Sequence, residues 1–334
     1  MTELASRAEL SGRAHADEPQ TVEPVARRTA TALARALHAN LGQILLGSQD
    51  AVTVAVIATL SGGHLLIEDV PGVGKTVLAQ SLAISLGVDL SRIQGHPDLL
   101  PSDVTGVTVY SGESGSWEFR PGPVFSHVVL VDELNRTPPR TQSALLETME
   151  ERQVSVDGKT WPLPEPHLVI ATQNPVGQLG TFPLVESQLD RFALSIAIGY
   201  PSAATEAQLA LGQGGREALG GLGAVCDAGR WREAIAATRA IHVATPVAEY
   251  AVAICRATRI APGVRLGASP RASITVVRSA QARALLDGRD YISPDDVRAV
   301  AVPTLAHRLV TDGDLRMGAS VVVAALSTVA APRP

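Results

Sequence analysis

The sequence predicts an α/β fold, a parallel sheet covered on both faces, followed by an all-helical part. Three observations carry this. The short apolar runs His64–Ile67, Val128–Val131 and Leu168–Thr172 show no period-2 polarity. Helical patterns are interleaved with these runs, and continuous apolar strands between helices are the mark of a parallel sheet buried on both faces. Beyond Tyr200-Pro201 the strand signals fade and helix signals take over.

The elements follow in order. Residues 1–25 hold few large apolar side chains and are expected to form a disordered tail. Leu33, Leu37, Leu41 and Leu45 make an i, i+4 stripe, so a helix is predicted over 27–46. A second runs over 49–60 and stops at Gly62-Gly63. Strand 64–67 leads into a loop and a helix over 76–86, which carries Leu78, Leu82 and Leu86 on one face. Val107–Tyr110 and Trp117–Phe119 flank a Ser/Gly-rich turn, and Gln153–Val156 and Lys159–Trp161 flank Asp157-Gly158; both pairs are predicted hairpins inserted between core elements. A further strand is predicted over 193–198, a Gly-rich loop over 212–223, and helices over 231–242, 246–258, 270–286 and 294–301. The expected domains are therefore 26–201, α/β, and 202–334, helical.

Composition narrows the function. With 46% hydrophobic residues the chain has a sizeable core, and its 28 Lys plus Arg against 33 Asp plus Glu give a net charge of −5. That balance argues against a duplex-DNA or anionic-membrane binder. Cys226 and Cys255 are too few for a disulfide framework. Every apolar stretch falls short of the roughly 20 residues that a bilayer requires. Glu3, Arg7, Glu9 and Arg13 interrupt any signal-peptide core. A cytoplasmic location is expected.

Chemistry concentrates at strand ends. Glu68-Asp-Val-Pro-Gly-Val-Gly-Lys-Thr76 joins a strand to a helix. Backbone amides from Gly72 to Lys75 and the helix dipole make an anion cradle there. Lys75 can reach β/γ-phosphate oxygens, and the Thr76 hydroxyl can bind Mg²⁺. The residues expected to surround a nucleotide are Pro71, Gly72, Val73, Gly74, Lys75, Thr76 and Val77. Asp69 stands where the phosphate-loop template has Gly, at the loop entrance, and Asp tolerates unusual φ. Val128–Val131 ends in Asp132-Glu133. Asp132 can join the Mg²⁺ shell, and Glu133 can polarise a water for in-line attack.

Other positions are open to two readings. Asn174, after strand 168–172, either orients the attacking water or opens a turn before Pro175. Arg191 is either a transition-state cation or the ion-pair partner of Asp190. Arg271 lies in the first turn of a helix capped by Ser269, where the dipole disfavours a cation; it either meets an anion such as a nucleotide phosphate or extends into water.

Taken in order, Arg92-Ile-Gln94, Pro97–Asp103, Gly122–Phe125, Asp132–Arg136, Gln142–Glu147, Ala171–Pro175, Gln188–Phe192 and Gly267–Arg271 resemble the MoxR family of AAA+ ATPases. The resemblance implies an αβα P-loop NTPase core with two inserted β-hairpins and an all-α C-terminal lid, in a ring that is usually hexameric. It implies ATP and Mg²⁺ as cofactors. It makes Lys75 and Thr76 the Walker A pair, Asp132 and Glu133 the Walker B acids, Asn174 sensor 1, Arg191 the arginine finger and Arg271 sensor 2. It further implies chaperone-like work in maturing protein complexes or inserting cofactors, often with a von Willebrand factor A domain partner. Two departures, Gly95-His96 for an aromatic–Thr pair and Val185 for Pro, are expected to lie outside the phosphate chemistry. The rival expectation is a DNA-stimulated AAA+ motor or a magnesium-chelatase-like subunit. The hairpin over 154–161, with one Lys and one Trp, is a poor stacking platform for nucleic acid.

Overall fold

A computed structural model of the chain describes residues 24–173, 180–312 and 315–333. Most of the expected tail and Asn174 lie outside the described residues. Two helices, α1 (Pro24–Ile44) and α2 (Gln49–Ser61), precede β1 (Leu65–Glu68), α3 (Lys75–Leu86) and β2 (Leu90–Gln94). The short α4 (Pro101–Thr105) introduces the hairpin β3 (Gly106–Ser111) and β4 (Ser116–Pro121). Then come β5 (Val128–Asp132), α5 (Pro139–Glu151), the second hairpin β6 (Gln153–Val156) and β7 (Lys159–Pro162), β8 (Leu168–Gln173), α6 (Glu186–Leu189) and β9 (Leu194–Ile196). The remainder is α7 (Ala203–Ala210), α8 (Ala228–Arg239), α9 (Thr245–Arg259), β10 (Val264–Leu266), α10 (Pro270–Asp287), α11 (Pro294–Leu305), β11 (Val310–Thr311) and α12 (Leu315–Thr328).

Five strands form one sheet in the order β2-β5-β8-β1-β9, every described pairing parallel. Its central strands β1, β5 and β8 are largely apolar, yet alternate residues serve different cores. Leu65, Ile67, Val128, Leu130, Leu168 and Ile170 face one cluster, which takes in α1 to α3 and continues without a break into α8 to α12. Leu66, Val129, Val131, Val169 and Ala171 face a second cluster with Leu145, Leu146 and Met149 of α5. The helices after residue 201 thus share a core with the sheet. Trp231 of α8 is buried and its indole donates to the Thr59 carbonyl of α2 at 3.0 Å. The late helices are accompanied by the small antiparallel ribbon β10–β11.

Both hairpins are present, and an aromatic stack clips them together. Phe119 of β4 lies on Trp161 of β7 with ring centroids 4.6 Å apart. Tyr110 and Trp117, directly opposite in the β3–β4 register, make an edge contact at 5.5 Å and are exposed. Among the described residues no helix is long and apolar enough to cross a membrane.

Candidate active site

Parallel strands bring their C-terminal tips to one edge, where ligands of open α/β sheets collect. At the tip of β1 the chain turns through Gly72 and Gly74, both left-handed at φ 88° and 102°, before α3 begins at Lys75. The first turn of α3 has neither a capping side chain nor an acid. By contrast, Asp227, Ser269 and Ser293 cap α8, α10 and α11. The leading amides of α3 therefore lack side-chain partners and are available to an anion.

Lys75 is buried and its ammonium donates to the Asp69 carbonyl. Burial lowers its pKa from the usual lysine value, against the pull of Asp69, Asp132 and Glu133. Those three acids and Lys75 thus share one site. Asp69 does not use the unusual φ expected of it, since the positive-φ residues other than Gly are Glu133, Arg152 and Asp157 among the described residues. Its carboxylate instead accepts from the amides of Val70 (2.8 Å), Ile198 (2.6 Å) and Gly199 (2.7 Å), tying the loop entrance to the end of β9.

At the tip of β5, Asp132 is buried and bound by Arg92 Nε of β2 at 2.7 Å. Glu133 is left-handed at φ 56°, a conformation that costs a residue with a side chain and is found at functional sites. Its amide donates to Thr172 Oγ1 at 2.9 Å, and its carboxylate pairs with Arg136 at 3.2 Å. Thr172 and Arg92 are site residues that sequence reasoning left unassigned; their place beside Asp132 becomes visible only with the strand register. A Cβ on Gly95 would stand 2.2 Å from the backbone carbonyl oxygen of Glu133, so only Gly fits against the turn that carries this acid.

Beside the loop opens a cleft of about 300 Å³, lined by Leu45, Leu46, Val73, Val77, Leu209 and Arg216 among others. The Gly-rich segment predicted as a loop supplies one wall. Gly215 donates to the Ile44 carbonyl at 2.9 Å, and a Cβ on Gly214 would lie 2.8 Å from Leu46. An apolar slot beside an anion cradle has the shape and polarity for a nucleotide base and its phosphates. Thr76 at the start of α3 and Asp132 supply the hard oxygens that Mg²⁺ takes, so the donor set fits that ion.

Arg191 and Arg271 are not with this group. Both bind Glu150 at the end of α5, Arg191 Nη2 at 3.3 Å and Arg271 Nη1 at 2.9 Å. Asp190, the other candidate partner of Arg191, is held by the buried Arg308 at 2.9 Å and by Ser269 Oγ at 3.0 Å. Register locates the cluster. His64, just before β1, bonds the carbonyl of Met149, and Ala193 donates to the His64 carbonyl. The arginines therefore sit at the start of β1 and Lys75 beyond its end, with a strand of roughly 13 Å between.

Comparison with known proteins identifies the family. Residues 64–194 match the model of the ATPase family associated with various cellular activities (AAA), and residues 256–322 match the AAA lid domain. The chain is 46% identical over 270 residues to the uncharacterized protein YeaC of Bacillus subtilis, covering 81% of this chain and 84% of that one. It is 39% identical over 315 residues to the chaperone MoxR1 of Mycobacterium tuberculosis, covering 90% and 81%. A crystal structure of a proposed ATPase from Cytophaga hutchinsonii superposes with a TM-score of 0.83 at 32% identity, covering 92% of this chain and 98% of that one. With core and lid matched in sequence order and relatives aligned over most of its length, the chain belongs to the MoxR family of AAA+ ATPases, enzymes that hydrolyse ATP.

Proposed function

We propose that this chain works in the cytoplasm as a ring of ATPase subunits, a hexamer, in which each nucleotide is held by one subunit and completed by the next. The observation that carries this reading is the separation of charges. The phosphate loop and its acids occupy one end of the sheet, and the pair Arg191 and Arg271 occupies the other. A subunit's own arginines are thus displaced from its own phosphates, whereas a head-to-tail neighbour can present them across an interface.

In this reading Pro71 to Val77 enclose the polyphosphate, with Lys75 on the β/γ oxygens. Thr76 and Asp132 would hold Mg²⁺, which would supply positive charge beside those oxygens. Glu133 polarises the attacking water and Asn174 orients it. Arg191 and Arg271 arrive from the neighbour and stabilise the transition state, a contribution of about 10³–10⁵ in rate for an arginine supplied in trans. The work done with that energy is chaperone-like, in maturing protein complexes or inserting cofactors, beside a von Willebrand factor A domain partner. The name of the Mycobacterium relative, a chaperone, supports that role.

Trans complementation tests the proposal. Lys75→Ala subunits lose the cradle but keep the arginines, while Arg191→Ala subunits keep the cradle and lose the finger. Each alone should turn over little ATP, and mixing them should restore turnover at interfaces that pair an intact cradle with an intact finger. A mixture as inactive as its components would refute the shared site.

A further inference from the structure

Two guanidiniums on one carboxylate pose a question of charge. Glu150 is the penultimate residue of α5; its Oε2 lies 3.3 Å from Arg191 Nη2 and its Oε1 2.9 Å from Arg271 Nη1. The arginines come from different elements, one following α6 and one in the first turn of α10. Like charges held this close repel, and Arg271 also sits at the positive end of a helix dipole. Asp190, next to Arg191 in the chain, is already bound by Arg308 and by Ser269, the residue that caps α10. Glu150 is therefore the carboxylate that lets the two cations stand side by side.

One acid for two cations leaves a surplus of one positive charge. Full neutralisation would leave nothing to offer a phosphate, and no neutralisation would drive the side chains apart. The carboxylate accepts a hydrogen bond from Arg271 on Oε1 and faces Arg191 as an ion pair across Oε2, so it draws both guanidiniums to one place. We propose that Glu150 is a positioning residue: the shared counter-ion that holds Arg191 and Arg271 together, so that both meet the γ-phosphate of the neighbouring subunit as a unit. It acts through the arginines and does not touch the nucleotide. This rests on the shared site proposed above.

The same helix ties the unit to the acids at the other end. The Gln142 side chain of α5 donates to the carbonyls of Leu134 at 3.3 Å and Thr137 at 3.1 Å, in the turn that follows Glu133.

The experiment is a double-mutant cycle on the full-length protein, reading ATP turnover and ATP affinity separately. Glu150→Gln keeps the shape and removes the charge. Turnover should fall about tenfold with ATP affinity unchanged, the scale of misdirecting a charged hydrogen-bonding group. Glu150→Asp should recover part of the loss. In an Arg271→Ala background, where one cation remains, Glu150→Gln should cost no more than about twofold, because coupled residues are not additive. Three results would overturn the role: an equal loss in both backgrounds, no loss in the otherwise native protein, or a loss that follows ATP affinity. Glu150 is 41% exposed at its side chain, so Glu150→Gln should unfold at the native temperature, and a large drop there would also count against it. Failure of Lys75→Ala and Arg191→Ala to complement would instead remove the shared site itself.

Discussion

Asp69 shows how a template departure is put to use. Its carboxylate accepts from three backbone amides, two of them beyond β9, and its carbonyl receives the Lys75 ammonium. Asp69→Ala would leave these half-buried donors without this acceptor, at about 1 kcal/mol or more. Urea unfolding should show that loss, with weaker ADP binding as the loop entrance comes away from the end of β9; Asp69→Asn, still an acceptor, should lose less. A variant of native stability would mean that the loop does not depend on this tie. The sequence displayed Lys75, Thr76, Asp132 and Glu133 plainly, because a phosphate loop and an acid-ended strand are local patterns. Arg92, Thr172 and Glu150 were not legible. Each acquires its role from a partner distant in the chain, and nothing in its immediate neighbours marks it. The same holds for Arg271, whose first-turn cation signalled an anion without telling a phosphate from a carboxylate.

Secondary structure was readable where burial is symmetrical. The apolar strands β1, β5 and β8 and the striped α1 follow from composition. The edge strand β2, Leu-Ser-Arg-Ile-Gln, reads as polar because one side faces Arg92's ion pair and solvent. Helix α5 begins with Pro-Arg-Thr-Gln and buries Thr and Gln along with Leu, so no clean apolar stripe announces it. Capping explains the better-read helices. Ser293 and Asp296 form a reciprocal box at α11, and the buried Asp296 also pairs with Arg289 at 2.6 Å. Burial raises the Asp296 pKa, but Arg289 and Ser293 outweigh it, and the carboxyl rests below its ordinary value. Asp296→Ala would leave Arg289 with Asp287 alone and remove one half of the α11 capping box, at about 1–3 kcal/mol for a lost charged hydrogen-bonding group. Chemical denaturation measures this directly; a cost below about 1 kcal/mol, the scale of a surface pair, would contradict the burial argument.

Across the whole molecule, three histidines tie stability to pH. Burial lowers His64 from 6.5 to about 3, His167 to about 4 and His307 to about 3. A depressed histidine pKa means that the unfolded chain takes up protons first. Stability is therefore full above the unfolded value near 6.5 and declines as pH falls towards the folded values. At pH 5 the cost reaches about 2 kcal/mol per histidine. The thermal midpoint should fall between pH 7 and pH 5, and an unchanged midpoint would show that these rings are protonated as readily in the folded protein. Long-range order was the least legible feature of the chain. The boundary expected at Pro201 marks where strands give way to helices, but the apolar cluster runs straight across it. One joint across that line has a consequence of its own. Asp190, bonded to Ser269 at the head of α10 and to Arg308 after α11, fastens the late helices to the loop that carries Arg191. A subunit built this way would, in the proposed ring, be deaf to its own ATP through these arginines and would hear only the occupant next door. In the proposed ring, news of each hydrolysis would circulate in a single direction, so that firing order is written into the joint.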